Sequence, residues 1–300
     1  MTFAVHIAIF VLLGPLLAGV VRKTKAFLSC RQGASVFQPY LDLWKRFRRG
    51  IVRSTTASWV FDLSAPVVLG ASLVLSAATP LWSRDVPLPM HFILFLYLMA
   101  LPRFFQALAG LDTGSAFGGL GASREVAVSA MAEPAMILSF CGLAYLGGAD
   151  TVSGMIAGVP QGRVLWRPEV ILLAGTLFLL LLAENARIPV DDPATHLELT
   201  MIHEAMVLDH AGVDLAMIQL ASGVRLVLFS ALVSGTLLPE TLSLPAVFAI
   251  PAAVAKVVLS GVLIGATEAG MARMRLSRIV SYLLIATVLA AIALAVRYAG

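Results

Sequence analysis

Long apolar runs, broken by short polar or basic stretches, set the rhythm of this chain. Windows of about 18 to 24 residues fall at Phe3–Val21, Val60–Leu81, Met90–Leu111, Val126–Gly147, Glu169–Arg187, Asp214–Leu238, Leu244–Glu268 and Ile279–Val296. None alternates with the period of two expected of a barrel strand, and within lipid each run must satisfy its own backbone, so each is predicted to be a helix. The expected fold class is all-α, a polytopic integral membrane protein of about eight transmembrane helices. The fifth window is the weakest, because its uncharged core from Val170 to Ala183 ends against Glu184 and Arg187; a seven-span reading stays open. No composition shift, linker or internal repeat divides residues 1–300, which read as a single membrane domain.

Between the first two spans, Gln38 to Arg49 places Tyr40, Leu41, Trp44 and Phe47 at steps of three and four, with Asp42, Lys45, Arg46, Arg48 and Arg49 on the remaining surface. That spacing predicts an amphipathic helix lying at the membrane interface. Its arginines could rest on anionic lipid, line a cavity mouth or dock a partner. The glycine-rich segment Gly114 to Gly121 reads as a tight connection, since it lacks the Lys-Ser/Thr of a phosphate loop.

Composition agrees with the pattern. At 59% hydrophobic and 13% charged, the chain carries about half the charge of a soluble domain. The positive charges are sorted by side. Arg22, Lys23, Lys25, Arg31, Lys45, Arg46, Arg48, Arg49 and Arg53 occupy the first loop, and Arg124, Arg187, Arg273, Arg275 and Arg278 share its face, against Arg84, Arg163, Arg167 and Arg297 opposite. By the positive-inside rule the large loop is cytoplasmic and both termini face outward, as expected for a multi-pass protein of the cell's inner (plasma) membrane. The basic run Arg-Lys-Thr-Lys follows the first span rather than preceding it, the reverse of a cleavable signal, so that span is expected to persist. The net charge of +4 follows topology and argues against a nucleic-acid partner. Two cysteines, Cys30 and Cys141, cannot form a metal or Fe–S ligand set, so any redox centre is expected in another chain.

Four charges fall within spans: Arg103, Glu133, Arg225 and Lys256. Lys256 sits near the middle of its span and Glu133 about two turns into its own, so both are expected to face protein or water. Desolvation disfavours their charged forms, the condition for exchanging protons near neutrality. Glu133, Glu184, Lys256 and Glu268 are the candidate proton carriers. Arg103, Arg124, Arg187 and Arg225 keep their protons and could only tune neighbours. A static ion-pair network, with Arg103 or Arg225 on Glu133, explains the same residues without transport.

After the fifth span, Asp191, Asp192, His196, Glu198, His203, Glu204, Asp209 and His210 crowd against the membrane surface. His196, His203 and His210 recur every seven residues, which on one continuous helix makes a stripe with about 10.5 Å of rise per step. That separation is too wide for a shared metal. It suits a relay through Thr200 and Glu204, or a solvated face with no function. No nucleophile elbow, dinucleotide fingerprint or His-Glu-x-x-His is present.

The string Leu111-Asp-Thr-Gly-Ser-Ala-Phe-Gly-Gly-Leu-Gly-Ala-Ser-Arg-Glu125, followed by Ala132-Glu-Pro134, resembles the membrane subunit of formate hydrogenlyase and hydrogenase-4 type complexes, the counterpart of NADH dehydrogenase subunit 1 in respiratory complex I. Arg31-Gln-Gly33, Glu184 with Arg187, Pro189-Val-Asp191, Glu198-Leu199, Lys256, and Glu268 with Met271-Ala-Arg273 extend the likeness over nearly the whole chain. The resemblance implies a subunit that anchors a soluble electron-transfer arm and couples redox energy to proton movement, with Glu133, Glu184 and Lys256 on a charged axis. It implies soluble [NiFe]-hydrogenase-like and Fe–S partners on the cytoplasmic face and antiporter-like membrane subunits alongside. Where that family commonly carries Glu-Ala-Glu, this chain has Ala194, Thr195 and His196, which removes the ground for carrying quinone binding over. The competing readings are a stand-alone proton-coupled carrier and a passive membrane anchor.

Overall fold

The computed structural model describes residues 3–159, 167–191, 201–243 and 245–299. Among these residues eight long helices follow one another: α1 Phe3–Leu28, α3 Trp59–Ala78, α4 Phe92–Asp112, α5 Ala116–Gly147, α7 Pro168–Glu184, α9 Gly212–Leu237, α10 Ala246–Gly270 and α11 Leu276–Ala299. Three short ones sit between them, α2 Gln38–Phe47, α6 Val152–Ala157 and α8 His203–Val207, with a 3-10 turn at Pro239–Ser243. Among the described residues no strand forms, only an isolated bridge between His91 and Thr151.

Seven of the long helices have the length and composition to cross a membrane. The exception is α7, the fifth expected span, with 17 residues, about 26 Å of rise. It packs against α5, α9 and α11, so protein rather than lipid surrounds much of it and the usual length requirement relaxes. At the centre lies α9, 72% of whose apolar window is buried, with α1, α3, α7 and α10 around it. Caps close the open helix ends. Ser58, Ser115 and Thr151 accept backbone N–H bonds at the starts of α3, α5 and α6, and Gly148 takes the left-handed conformation (φ 65°) that ends α5.

Two boundaries depart from expectation. The first span continues past Val21 to Leu28, carrying Arg22, Lys23 and Lys25 on a helical extension. Helix α5 begins at Ala116, so only Gly114 and Ser115 of the glycine-rich segment form a connection, and Gly118, Gly119 and Gly121 lie in the first two turns of the helix. The reason is close packing. A side chain on Gly118 would meet the Gly110 carbonyl of α4 at 2.2 Å, and one on Gly121 would meet Ala205 and the Ile202 carbonyl at 2.9 Å.

The amphipathic helix forms as expected. One edge of α2, with Pro39, packs toward α1 and α9, while Leu41, Trp44 and Phe47 remain exposed and the Arg48 guanidinium stacks 4.5 Å above Trp44. The Tyr40 hydroxyl donates to the Leu12 carbonyl and pins α2 to α1.

Candidate functional site

Loops at the basic end of the bundle are laced together by side chains. Lys25 and Arg187 both reach Glu268, each at 3.5 Å. Asp191 accepts from Arg273 at 2.9 Å and from the backbone N–H groups of Ile202 and His203 at 3.3 and 3.1 Å. Arg53 bridges Asp62 and Asp214 at 3.0 and 3.2 Å, Ser115 donates to Asp209 at 3.0 Å, and Arg124 donates to the Met201 carbonyl at 3.1 Å. Apart from Asp62, each of these carboxylates ties segments far apart in sequence, so this end is held as one unit.

Deeper, Arg103 of α4 donates to Glu184 at the end of α7 at 2.6 Å and to Ser129 of α5 at 3.2 Å. Both side chains of the ion pair are nearly sealed from solvent, 10% and 4% exposed. Arg225 of α9 is buried within electrostatic reach of Glu184 and of Glu125. Two guanidiniums and two carboxylates therefore meet where α4, α5, α7 and α9 converge. Among the described residues, the Nε atoms of Arg103 and Arg225 and both amide atoms of Gln106 are buried without a hydrogen-bond partner, the condition under which interiors hold ordered water.

Glu125 belongs to this cluster although sequence reasoning did not single it out. Its signals are its place at the end of the Leu111–Glu125 string and its position, one residue ahead of an expected span and eight before Glu133. Because α5 starts earlier than expected, Glu125, Ser129 and Glu133 share one helix at intervals of four, about 6 Å of rise each.

A cavity of about 590 Å³ opens beside the cluster. Arg187, Asp191, His203, Glu204 and Glu268 line its inner wall, and α1 and α2 form the other. His203 is held well below the usual imidazole value, to about 3, first by desolvation and then by Arg225. His210 stacks on Phe61 with ring centroids 4.1 Å apart. Burial lowers it to about 4, against the raising effect of Asp214 and Asp209, with Arg53 adding to the lowering. Both imidazoles are neutral at physiological pH.

The other expected residues fall in separate places. Glu133 is exposed on the outer side of α5, and the static alternative of Arg103 on Glu133 does not form, because Arg103 pairs with Glu184. Lys256 is buried but lies twelve residues from Glu268 along α10, about 18 Å toward the opposite end. Its ammonium donates to Thr241 of the 3-10 turn at 2.6 Å. The histidine stripe does not form between His203 and His210, since α8 ends at Val207 and the chain turns before α9. Asp192, His196, Glu198 and Thr200 lie outside the described residues.

A family model described as NADH dehydrogenase matches residues 1–299. The chain belongs to that family, the subunit 1 family of complex I. Relatives within it include hydrogenase-4 component C of Escherichia coli (strain K12), 33% identical over 77% of this chain and 73% of that protein. Formate hydrogenlyase subunit 4 of the same organism is 30% identical over 87% of each. The fold is that of a chain in the membrane-bound sulfane sulfur reductase, an archaeal respiratory membrane complex, with a TM-score of 0.84 at 19% identity over 97% of both chains. The seven membrane-length helices and these relatives agree on a multi-pass membrane protein.

Proposed function

We propose that this chain is the membrane-anchoring, proton-path subunit of a group 4 [NiFe]-hydrogenase-like or complex I-like oxidoreductase, coupling electron transfer in soluble partners to proton translocation. The observation that carries the proposal is the buried Arg103–Glu184 pair with Glu125 and Arg225. It sits between a cavity at the basic end and, through Ser129, the outward-facing Glu133. Fixed charges beside titratable ones let a change at the cavity wall shift proton occupancy deeper in the bundle. The basic end is the cytoplasmic face, both termini lie outside, and the plasma membrane is the host bilayer. Soluble hydrogenase-like and Fe–S subunits dock at the laced loops, and antiporter-like membrane subunits lie beside α5. Fe–S clusters, and [NiFe] where present, belong to those partners; two cysteines in the whole chain cannot supply a cluster's ligands. Lys256, distant from the cluster, serves the opposite half of the path.

The test uses the assembled complex in inverted vesicles, with proton uptake and electron transfer followed together. Glu184→Gln keeps an amide oxygen to accept from Arg103, so it should leave the complex assembled and electron transfer running while proton uptake falls at least tenfold, because the amide cannot carry the proton. Unchanged uptake would leave the passive-anchor reading standing.

A further inference from the structure

The cavity at the basic end has chemistry that the proton path leaves unused. It follows α1 from Ser29 down to Gly14, about 22 Å along the helix. Its deep end is closed where Gly14 and Gly223 meet, Pro15 and Ala18 line the slot above it, and charged side chains of α1, α2 and the loop between them line its mouth. Most charges at the mouth are matched: Arg22 lies 3.9 Å from Asp42, and Lys25 and Arg187 share Glu268. Among the described residues, Arg31 and Arg46 have no carboxylate partner, and one terminal nitrogen of Arg46 is buried with no acceptor at all. A guanidinium nitrogen removed from water without an acceptor is costly, which marks a place for an anion.

The depth of the mouth says what kind of anion. Phe37, Leu41 and Trp44 are exposed along the edge of α2 facing away from the cavity, and such a helix lies at headgroup level with its apolar edge in the bilayer. Arg46, on the cavity edge of the same helix, is then at the depth of lipid phosphates. We propose that the cavity holds an anionic phospholipid, its phosphate against Arg46 and Arg31 and an acyl chain along Gly14, Pro15 and Ala18. A neutral ring could fill the deep part but would leave the buried Arg46 nitrogen without an acceptor, and a free phosphate would leave the apolar slot unfilled. The lipid meets both demands and does not depend on the proton-path reading.

The full chain, purified in mild detergent, is titrated with dioleoyl phosphatidylglycerol, dioleoyl phosphatidylcholine or inorganic phosphate, and bound lipid is counted by native mass spectrometry. One phosphatidylglycerol per chain should be retained in preference to phosphatidylcholine. Arg46→Gln or Arg31→Gln should weaken retention about tenfold, the size expected for one charge-assisted contact, and Arg46→Lys should weaken it less. Equal retention of phosphatidylcholine, wild-type retention by Arg46→Gln, or displacement by millimolar inorganic phosphate would each overturn the assignment. As a check needing no variant, phosphatidylglycerol with a photoactivatable acyl chain should label α1 between Gly14 and Arg22. Labelling confined to the outer faces of α10 and α11 would also overturn it.

Discussion

At the scale of single residues, the Arg103–Glu184 pair shows what a membrane interior demands. Two ions are nearly sealed from water at a separation of 2.6 Å, and their mutual attraction does little more than offset the desolvation each has undergone. Losing one partner strands the other. Arg103→Met is therefore expected to destabilise the folded chain by about 3–5 kcal/mol, read as a lower midpoint in detergent unfolding. The double variant Arg103→Met with Glu184→Leu should recover most of that loss. If the single variant unfolds like the parent, water reaches the pair and the sealed-cluster picture is wrong. The ions themselves were legible in sequence, because charges inside apolar runs need partners. Their pairing was not: Arg103 and Glu184 are 81 positions apart, and nothing in local pattern distinguishes Glu184 from Glu133 as the partner. The histidine spacing misled for a local reason. A period of seven means a shared face only if the helix is continuous, and here α8 stops at Val207 and the chain passes through Gly212 at φ +56° before resuming.

At the scale of elements, hydrophobic runs located the helices well but their ends poorly, since ends are set by what the backbone approaches. In the first turns of α5, Gly118 and Gly121 are glycine where α4 and α8 lie against them, which a sequence pattern reads as a loop. The same logic holds α1 to α9. A Cβ on Gly14 would stand 2.9 Å from the Gly223 backbone, so the two helices touch main chain to main chain, the close approach that substitutes for hydrophobic driving force within lipid. Gly14→Leu is expected to push α1 from α9 and cost about 1–3 kcal/mol of overpacking, seen as a lowered unfolding midpoint in detergent. Gly70, on α3, provides the contrast, because a methyl added there would meet nothing within 4 Å. Gly70→Ala should be neutral or gain up to about 1 kcal/mol from helix propensity. Equal losses at both sites would mean that glycine serves helix flexibility rather than packing.

At the scale of the whole molecule, the outer side of α5 sets the terms of assembly. Glu133 is exposed there, with Met131 and Ile137 also turned outward, and it lies fourteen residues from the helix end at Gly147, about 21 Å into the membrane from that side. A charged carboxylate facing hydrocarbon at such depth costs about 2.5–3.5 kcal/mol on insertion scales. A neighbouring membrane subunit offering a cation or hydroxyl would remove that penalty and continue the line from Glu125 and Ser129 out of this chain. Glu133→Leu then has opposite effects in two settings. The isolated chain in detergent should be as stable as the parent or more so, because an exposed carboxylate has become apolar. The assembled complex should retain its soluble subunits yet lose membrane partners or proton uptake, measured by quantitative recovery of each subunit and by vesicle acidification. If recovery and uptake both match the parent, lipid alone covers that side of α5, and the charged line ends within this chain.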